Sequence, residues 1–154
     1  MTSTAIIRAA LAYKLGQCGL LDRVVQFPSS DLELAMEALR DSPDALAVIV
    51  PSKDTIEHAM AADGVLLPAR AEWRMVFEIL ITCRDAAHAD DGDAICADVK
   101  DGVISLLCWD DLSLTGLICL PTEAEAYSLD TDERRGREAW KISLEIRQII
   151  EPES

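Results

Sequence analysis

The residue types best suited to metal binding or acid–base chemistry gather in one short segment. Asp85, His88, Asp90, Asp91 and Asp93 combine carboxylates with an imidazole, and hard cations prefer several oxygen ligands. Their spacing lacks the alternating Asp or Asn positions and the distal Glu of a calcium loop. Carboxylates are also favoured at a helix N-terminus, next to unpaired amides and the positive end of the helix dipole. We therefore interpret the segment as a helix cap and surface loop, and predict no metal site.

The other histidine, His58, stands beside Glu57 in a segment of ambiguous pattern, and we interpret it as a surface or half-buried polar group. An enzyme would need a pocket around His58 or His88. The chain has no GxSxG motif, glycine-rich phosphate loop, HExxH motif or Cys–His signal that would mark a nucleophile. The sequence therefore predicts no catalytic residue and no cofactor, and favours a protein that is not an enzyme.

The five cysteines are odd in number, scattered and set among apolar residues, and no CxxC pair occurs. A buried thiol behaves as a small hydrophobic group. We expect reduced structural thiols rather than a disulfide framework or a metal site. The residues concerned are Cys18, Cys83, Cys96, Cys108 and Cys119.

The charge of the 154-residue chain limits its partners. It carries 28 Asp and Glu against 14 Lys and Arg, a formal net charge of −14 and a pI of about 4.4. Such a charge repels phosphate backbones and anionic membranes. Residues 1–20 lack the pattern of a secretory signal, and no apolar run reaches the ~18 residues of a membrane span. We expect one soluble, cytosolic domain over residues 1–154, with residues 151–154 frayed.

The elements that must position these residues are organised around one long strand signal. Residues 72–84 alternate with period two, and residues 140–150 repeat the pattern from a second leading tryptophan. Two matched long strands suggest neighbours at the centre of one sheet. The apolar face of the first comprises Trp73, Met75, Phe77, Ile79, Ile81 and Cys83.

Three helices and several shorter strands complete the prediction, an α+β domain with an antiparallel or mixed sheet. We expect helices over residues 4–18 with Ser3 as cap, from a Ser30–Glu33 capping box to about Arg40, and over residues 92–108. We interpret residues 52–71 as a loop with local structure, because their pattern fits either a short helix or a hairpin with its turn at Asp63-Gly64. Further strands are expected at residues 22–27, 45–50 and 123–128, with a Leu-rich segment at 112–120.

A cluster of Arg134, Arg135 and Arg137 is the densest positive charge in this acidic chain. One interpretation is a solvated hairpin tip. The other is a contact with an acidic neighbouring subunit, where local pairing offsets the repulsion between like-charged copies. Together with Glu123 and Glu125 of the exposed strand, these arginines are the candidate subunit or partner contacts.

Taken together, the order of elements resembles that of bacteriophage tail terminator (tail completion) proteins of long-tailed phages, in the version carried by Mu-like phages. The resemblance covers nearly the whole chain. It is carried by element order and by sparse positions: Pro43 before the apolar run, the strands led by Trp73 and Trp140, and Gly116 in the Leu-rich segment.

The resemblance implies a sheet flanked by helices and a six-fold ring that caps the tail tube. Such a ring ends tube polymerisation and offers a surface to the head-side connector. The implied partners are further copies of the chain, the tail tube protein and the connector, in a virion tail assembled in the host cytoplasm. A ring needs a head-to-tail interface, for which the exposed edges and loops 52–71 and 122–137 are candidates. An acidic lumen would let DNA pass without binding.

Two other classes of structural or binding protein stay open. Another neck component, such as a head-closure or head–tail joining protein, would share the assembly role. An acidic binding module, such as an immunity protein or a nucleic-acid mimic, would share the charge. That module would be a monomer or dimer that binds a basic partner tightly.

Overall fold

The computed structural model describes residues 1–28, 30–40, 45–59, 70–82, 89–128 and 138–151, without the side chains of residues 59, 89–95, 128 and 138. Within these ranges, three helices and five strands follow one another along the chain. Their order is α1 (Thr4–Gln17), β1 (Arg23–Gln26), α2 (Leu32–Arg40), β2 (Leu46–Ala59), β3 (Arg70–Thr82), α3 (Ala89–Leu107), β4 (Leu117–Ser128) and β5 (Glu138–Ile150).

The five strands form one mixed sheet in the order β1-β2-β3-β5-β4. Strand β1 runs parallel to β2, and every other neighbouring pair is antiparallel. The predicted α+β class with a mixed sheet and three helices is therefore confirmed.

The two tryptophan-led strands are sheet neighbours, as the repeated pattern predicts. Strand β3 is the middle strand, and it pairs with β5 so that Ile81 lies opposite Trp140 and Trp73 lies opposite Gln148. Because the pairing is antiparallel, the two tryptophans lie at opposite ends of the sheet. Both strands begin two residues before the predicted start.

Helices α1 and α3 cover one face of the sheet. The alternating apolar residues of β3 point into this layer with those of β5, as in Phe77 and Leu144. From the helices come residues at three- and four-residue spacing: Ile7, Leu11, Leu15, Cys96, Val99, Val103 and Leu107. This is the main core.

Helix α2 covers part of the opposite face. Its buried residues Ala35 and Leu39 pack with Val48 of β2 and Leu80 of β3 in a second, smaller core. Residues 45–50 form a continuous apolar run because both faces of β2 are buried there.

The predicted cap of α1 is confirmed, and that of α2 is wrong by one residue. Ser3 Oγ accepts from the Ile6 amide at 3.3 Å. In α2, Asp31 Oδ1 accepts from the amides of Glu33 and Leu34 at 3.1 and 3.2 Å. A carboxylate is a strong cap acceptor and also favours the positive helix end, so Asp31 displaces the Ser30 capping box.

The expected loop over residues 52–71 is wrong for residues 52–59, 70 and 71, which lie in strands, and the alternative of two strands joined by a turn agrees with the structure there. Strand β2 continues to Ala59 and pairs with β3 down to Arg70. A register shift between Pro51 and Lys53 explains the irregular pattern of apolar residues. After the shift, odd-numbered and even-numbered residues of β2 exchange the faces of the sheet on which they lie. The proposed turn at Asp63-Gly64 lies outside the described residues.

Of the four cysteines that the structure describes, Cys96 and Cys119 are buried as the prediction of structural thiols requires, whereas Cys18 is half-buried. Cys18, Cys96, Cys108 and Cys119 are free thiols, although Cys108 is exposed and not set in the core. Cys83 lies outside the described residues, as do the tail residues 152–154. Among the described helices, none has both the length and the apolarity needed to cross a bilayer.

Candidate functional site

The segment with the most metal-like residue types yields no site in the part of the chain that is described. Asp85 and His88 lie outside it. Asp90, Asp91 and Asp93 fall in the first turns of α3, where only the backbone is described. Among the described side chains, no group of three potential ligands comes together.

His58 lies at the far end of β2, where it lines an open cavity of about 240 Å³ with residues of β3 and β5. Its neighbours are of mixed charge, and the histidine is exposed. The lining residues are Glu57, His58, Arg70, Ala71, Glu72 and Ile149.

Beside this cavity, the sheet face that α2 leaves uncovered carries a connected row of ion pairs. Arg74 lies opposite Arg147 in the β3–β5 register. Glu72 lies between them, with Oε1 at 3.2 Å from Arg74 Nε and 3.5 Å from Arg147 Nε. Arg74 also reaches Glu57 at 3.1 Å, and Arg147 reaches Glu145 at 2.9 Å. Each arginine is therefore neutralised within the chain.

The hydrogen bond to Glu72 is the main cause that raises the pKa of Arg74 above its ordinary value, and the charge of Glu57 adds to it. The guanidinium therefore stays charged, and its Nε and Nη2 groups already donate to carboxylates of the chain. This face is a satisfied polar surface rather than a reactive site.

The candidate contacts on β4 lie at the border of the sheet. Glu123 and Glu125 are exposed. Glu125 Oε2 accepts from the Tyr127 hydroxyl at 3.0 Å and lies 3.6 Å from Lys141 Nζ. A hydrogen bond with Tyr127 is the main cause that raises the pKa of Lys141. The other candidate contacts, Arg134, Arg135 and Arg137, lie outside the described residues.

A surface that the sequence reasoning missed lies on α1 and on the turn after α3. The exposed positions of α1 form one helical stripe without a charged residue: Ala5, Ile6, Ala9, Tyr13, Gly16 and Gln17. Both cationic side chains of the helix bind other segments of the same chain. Arg8 Nη2 donates to the Phe27 carbonyl at 2.7 Å, and Lys14 Nζ lies 3.2 Å from Asp110 Oδ1.

The Lys14–Asp110 ion pair joins helix α1 to the turn that carries Trp109. Trp109 is 72% exposed and Tyr13 is 71% exposed. Each adjoins a residue of the ion pair in sequence. We call the exposed stripe of α1 together with Trp109 the α1–Trp109 surface. A signal was available in the sequence, because all 28 acidic residues lie from Asp22 onwards.

The turn holds Trp109 in a defined place. The Trp109 amide donates to the Cys119 carbonyl at 2.9 Å, and the Cys119 amide donates to the Asp110 carbonyl at 2.8 Å. Asp110 Oδ2 accepts from the Leu112 amide at 2.8 Å. Trp109 has φ 65°, a left-handed conformation that a bulky residue rarely adopts and that the surrounding bonds must maintain.

No protein-family model and no curated protein matches the chain.

Proposed function

We propose that the chain is a structural assembly protein of the tail terminator type: a subunit of a ring that caps a phage tail tube, ends its polymerisation and joins it to the head-side connector. Its α+β fold, a mixed sheet with helices on both faces, agrees with the fold that the sequence resemblance implies.

The observation that carries the proposal is that the sheet has two long borders of different sequence. Strand β4 is one border. On the other side, β1 pairs only with Leu46–Ile49 of β2, so within the described residues the edge of β2 that faces away from β3 has no strand beside residues 53–59. Two unlike borders on opposite sides of a sheet give one copy two unlike surfaces. That is the requirement for head-to-tail contacts, which form a ring when the rotation between copies closes.

Both border strands also have features that disfavour non-specific pairing with other strands. Each contains a proline followed by a register shift, at Pro51 and at Pro121. Proline removes a backbone donor, and a bulge bends the edge. Charged residues follow each shift, among them Lys53 and Glu123. Borders of this kind favour one specific neighbour over uncontrolled aggregation.

The charge of the chain fits a ring around DNA. Copies with a formal charge of −14 each build an acidic ring, and a negative lumen would not retain a phosphate backbone. A ring whose inner wall is neutral or basic would contradict this part of the proposal.

The test is to add the purified protein to tail tubes assembled from the tail tube protein of the same phage, and to image them by negative stain. The proposal predicts a cap at one end of each tube and arrested growth. Bovine albumin at equal concentration is the control for crowding. Tubes that keep growing with bare ends would contradict the proposal, and tight binding of a basic protein by a monomer would favour the acidic binding module.

A further inference from the structure

Gln148 is a buried polar residue on the face of β5 that points into the main core. It is 4% exposed and lies opposite Trp73 in the β3–β5 register. Its side chain binds the backbone of Thr2 twice: Oε1 accepts from the Thr2 amide at 3.1 Å, and Nε2 donates to the Thr2 carbonyl at 3.0 Å. A buried amide needs a partner for each of its two groups, and one residue of the N-terminal segment supplies both.

The N-terminal segment passes over one corner of the main core. Two residues after Thr2, Thr4 Oγ1 donates to Met75 Sδ at 3.9 Å. Met75 and Trp73 lie two residues apart on β3, so their side chains point to the same face of the sheet as Gln148. Thr2 and Thr4 therefore contact two residues that adjoin Trp73, and the segment covers this corner.

The first two residues are attached to the sheet less firmly than helix α1. Ser3 belongs to the helix end, because its carbonyl accepts from the Ile7 amide at 3.0 Å and its hydroxyl caps the helix. Met1 is 85% exposed, and within the described residues Met1 and Thr2 make no hydrogen bond to the sheet other than the two with Gln148. Two hydrogen bonds contribute a free energy comparable with the conformational entropy lost on ordering two residues. The segment can therefore open while the sheet stays folded.

We propose that residues 1–3 form a strap, with Gln148 as its latch, that opens locally and admits water to the Trp73 corner of the main core. When the strap opens, water binds the amide of Gln148, so opening leaves no buried polar group without a partner. Ser3 is the hinge, because it remains the cap of α1. This opening is a property of the single chain and does not depend on the proposed assembly function.

The indole N–H groups of two tryptophans report where the domain opens. Nε1 of Trp73 and Nε1 of Trp140 are both buried without a hydrogen-bond partner, so burial alone slows the exchange of their protons. The two residues lie at opposite ends of the β3–β5 pair. Hydrogen exchange of the two indoles, measured by NMR, therefore separates opening of the strap from opening of the whole domain.

Two variants break the latch from opposite sides. Gln148→Met has a similar volume and removes both hydrogen bonds, whereas Thr2→Pro removes the backbone amide that donates to Gln148 Oε1. We expect each variant to accelerate exchange of the Trp73 indole at least about tenfold, because loss of the latch raises the population of the open strap. The Trp140 indole should exchange at the wild-type rate in both.

Thr2→Ala is the matched control for Thr2→Pro, since it keeps the amide and the carbonyl that bind Gln148. It should exchange like the wild type at both indoles. Thr2 lies outside the sheet, so Thr2→Pro tests the inference even where Gln148→Met fails to fold.

Three results would overturn the inference. A wild-type rate at Trp73 in Thr2→Pro would mean that the strap does not control access to this corner. Equal acceleration at Trp73 and Trp140 would mean that the whole domain opens. Acceleration in Thr2→Ala equal to that in Thr2→Pro would mean that the Thr2 side chain, and not the Gln148 latch, holds the segment.

Discussion

Lys14 Nζ lies 3.2 Å from Asp110 Oδ1, and this ion pair joins α1 to the turn that carries Trp109. Asp110 has a second role, because its other oxygen accepts from the Leu112 amide at 2.8 Å. We expect Asp110→Ala to lower the free energy of unfolding by about 1–2 kcal/mol, since a half-buried amide loses its acceptor. Lys14→Met should cost less than about 1 kcal/mol, because it removes only the ion pair. Urea denaturation monitored by circular dichroism measures both, and equal losses would contradict the assigned role of Asp110.

The sheet offers a matched pair of isoleucines that tests the assignment of the main core. Ile79 on β3 is fully buried, and Ile149 on the adjacent β5 is 53% exposed. We expect Ile79→Ala to destabilise the domain by about 2–5 kcal/mol, because it removes buried methyl groups and leaves a cavity. Ile149→Ala should cost less than about 1 kcal/mol. Thermal and urea unfolding measure the difference, and a larger loss at Ile149 would mean that this end of the sheet is covered.

The cap of α2 can be assigned by two neighbouring substitutions. Asp31 Oδ1 accepts from the amides of Glu33 and Leu34, so Asp31→Ala should cost about 0.5–2 kcal/mol of stability. Ser30→Ala is the control and should cost less than about 0.5 kcal/mol, since exposed sites without a specific role tolerate change. The reverse order of losses in urea denaturation would restore the serine capping box.

The thiol of Cys119 predicts a pH dependence at alkaline pH. Burial raises its pKa from 9.0 to about 12, with the charges of Asp110 and Asp111 adding to the effect. The folded state therefore keeps a proton that the unfolded state releases above pH 9.0, so the thiol's contribution to stability is lost as pH rises from about 9 towards 12. Cys119→Val removes this group while keeping an apolar side chain.

The measurement is the free energy of unfolding of both proteins between pH 8 and 10.5. Lysine and tyrosine titrations are common to the two proteins and cancel in the difference. Above pH 9 the wild type should lose up to about 1.4 kcal/mol per pH unit more than Cys119→Val. Parallel profiles would contradict the burial of the thiolate-forming sulfur.

The elements that were predicted correctly from the sequence are those whose apolar residues recur with a single period along the whole element. The alternation in β3 and β5 and the spacing in α1 each follow from a single buried face, and their pairing followed from their similarity. The strand over residues 52–59 was not predicted, because the register shift after Pro51 interrupts the period-two alternation by which a strand is recognised. The N-cap of α2 was assigned to the wrong residue, because Ser30 and Asp31 are adjacent and both side chains are good hydrogen-bond acceptors.

The candidate site was harder to predict, because it depends on residues that are distant in sequence. The row of ion pairs joins Glu57, Arg74 and Arg147 from three strands, and only the β-sheet register brings them together. The α1–Trp109 surface also joins two remote segments through Lys14 and Asp110. Its charge segregation was visible in the sequence, but which side of α1 faces outwards was decided by the core.

Light scattering over a range of concentrations gives the mass of the purified protein in solution and so determines whether the chain forms the proposed ring. We expect a concentration-dependent species with about six times the 16.8 kDa mass of one chain, seen as closed rings by negative stain. A chain that stays at the mass of one copy at every concentration would contradict it.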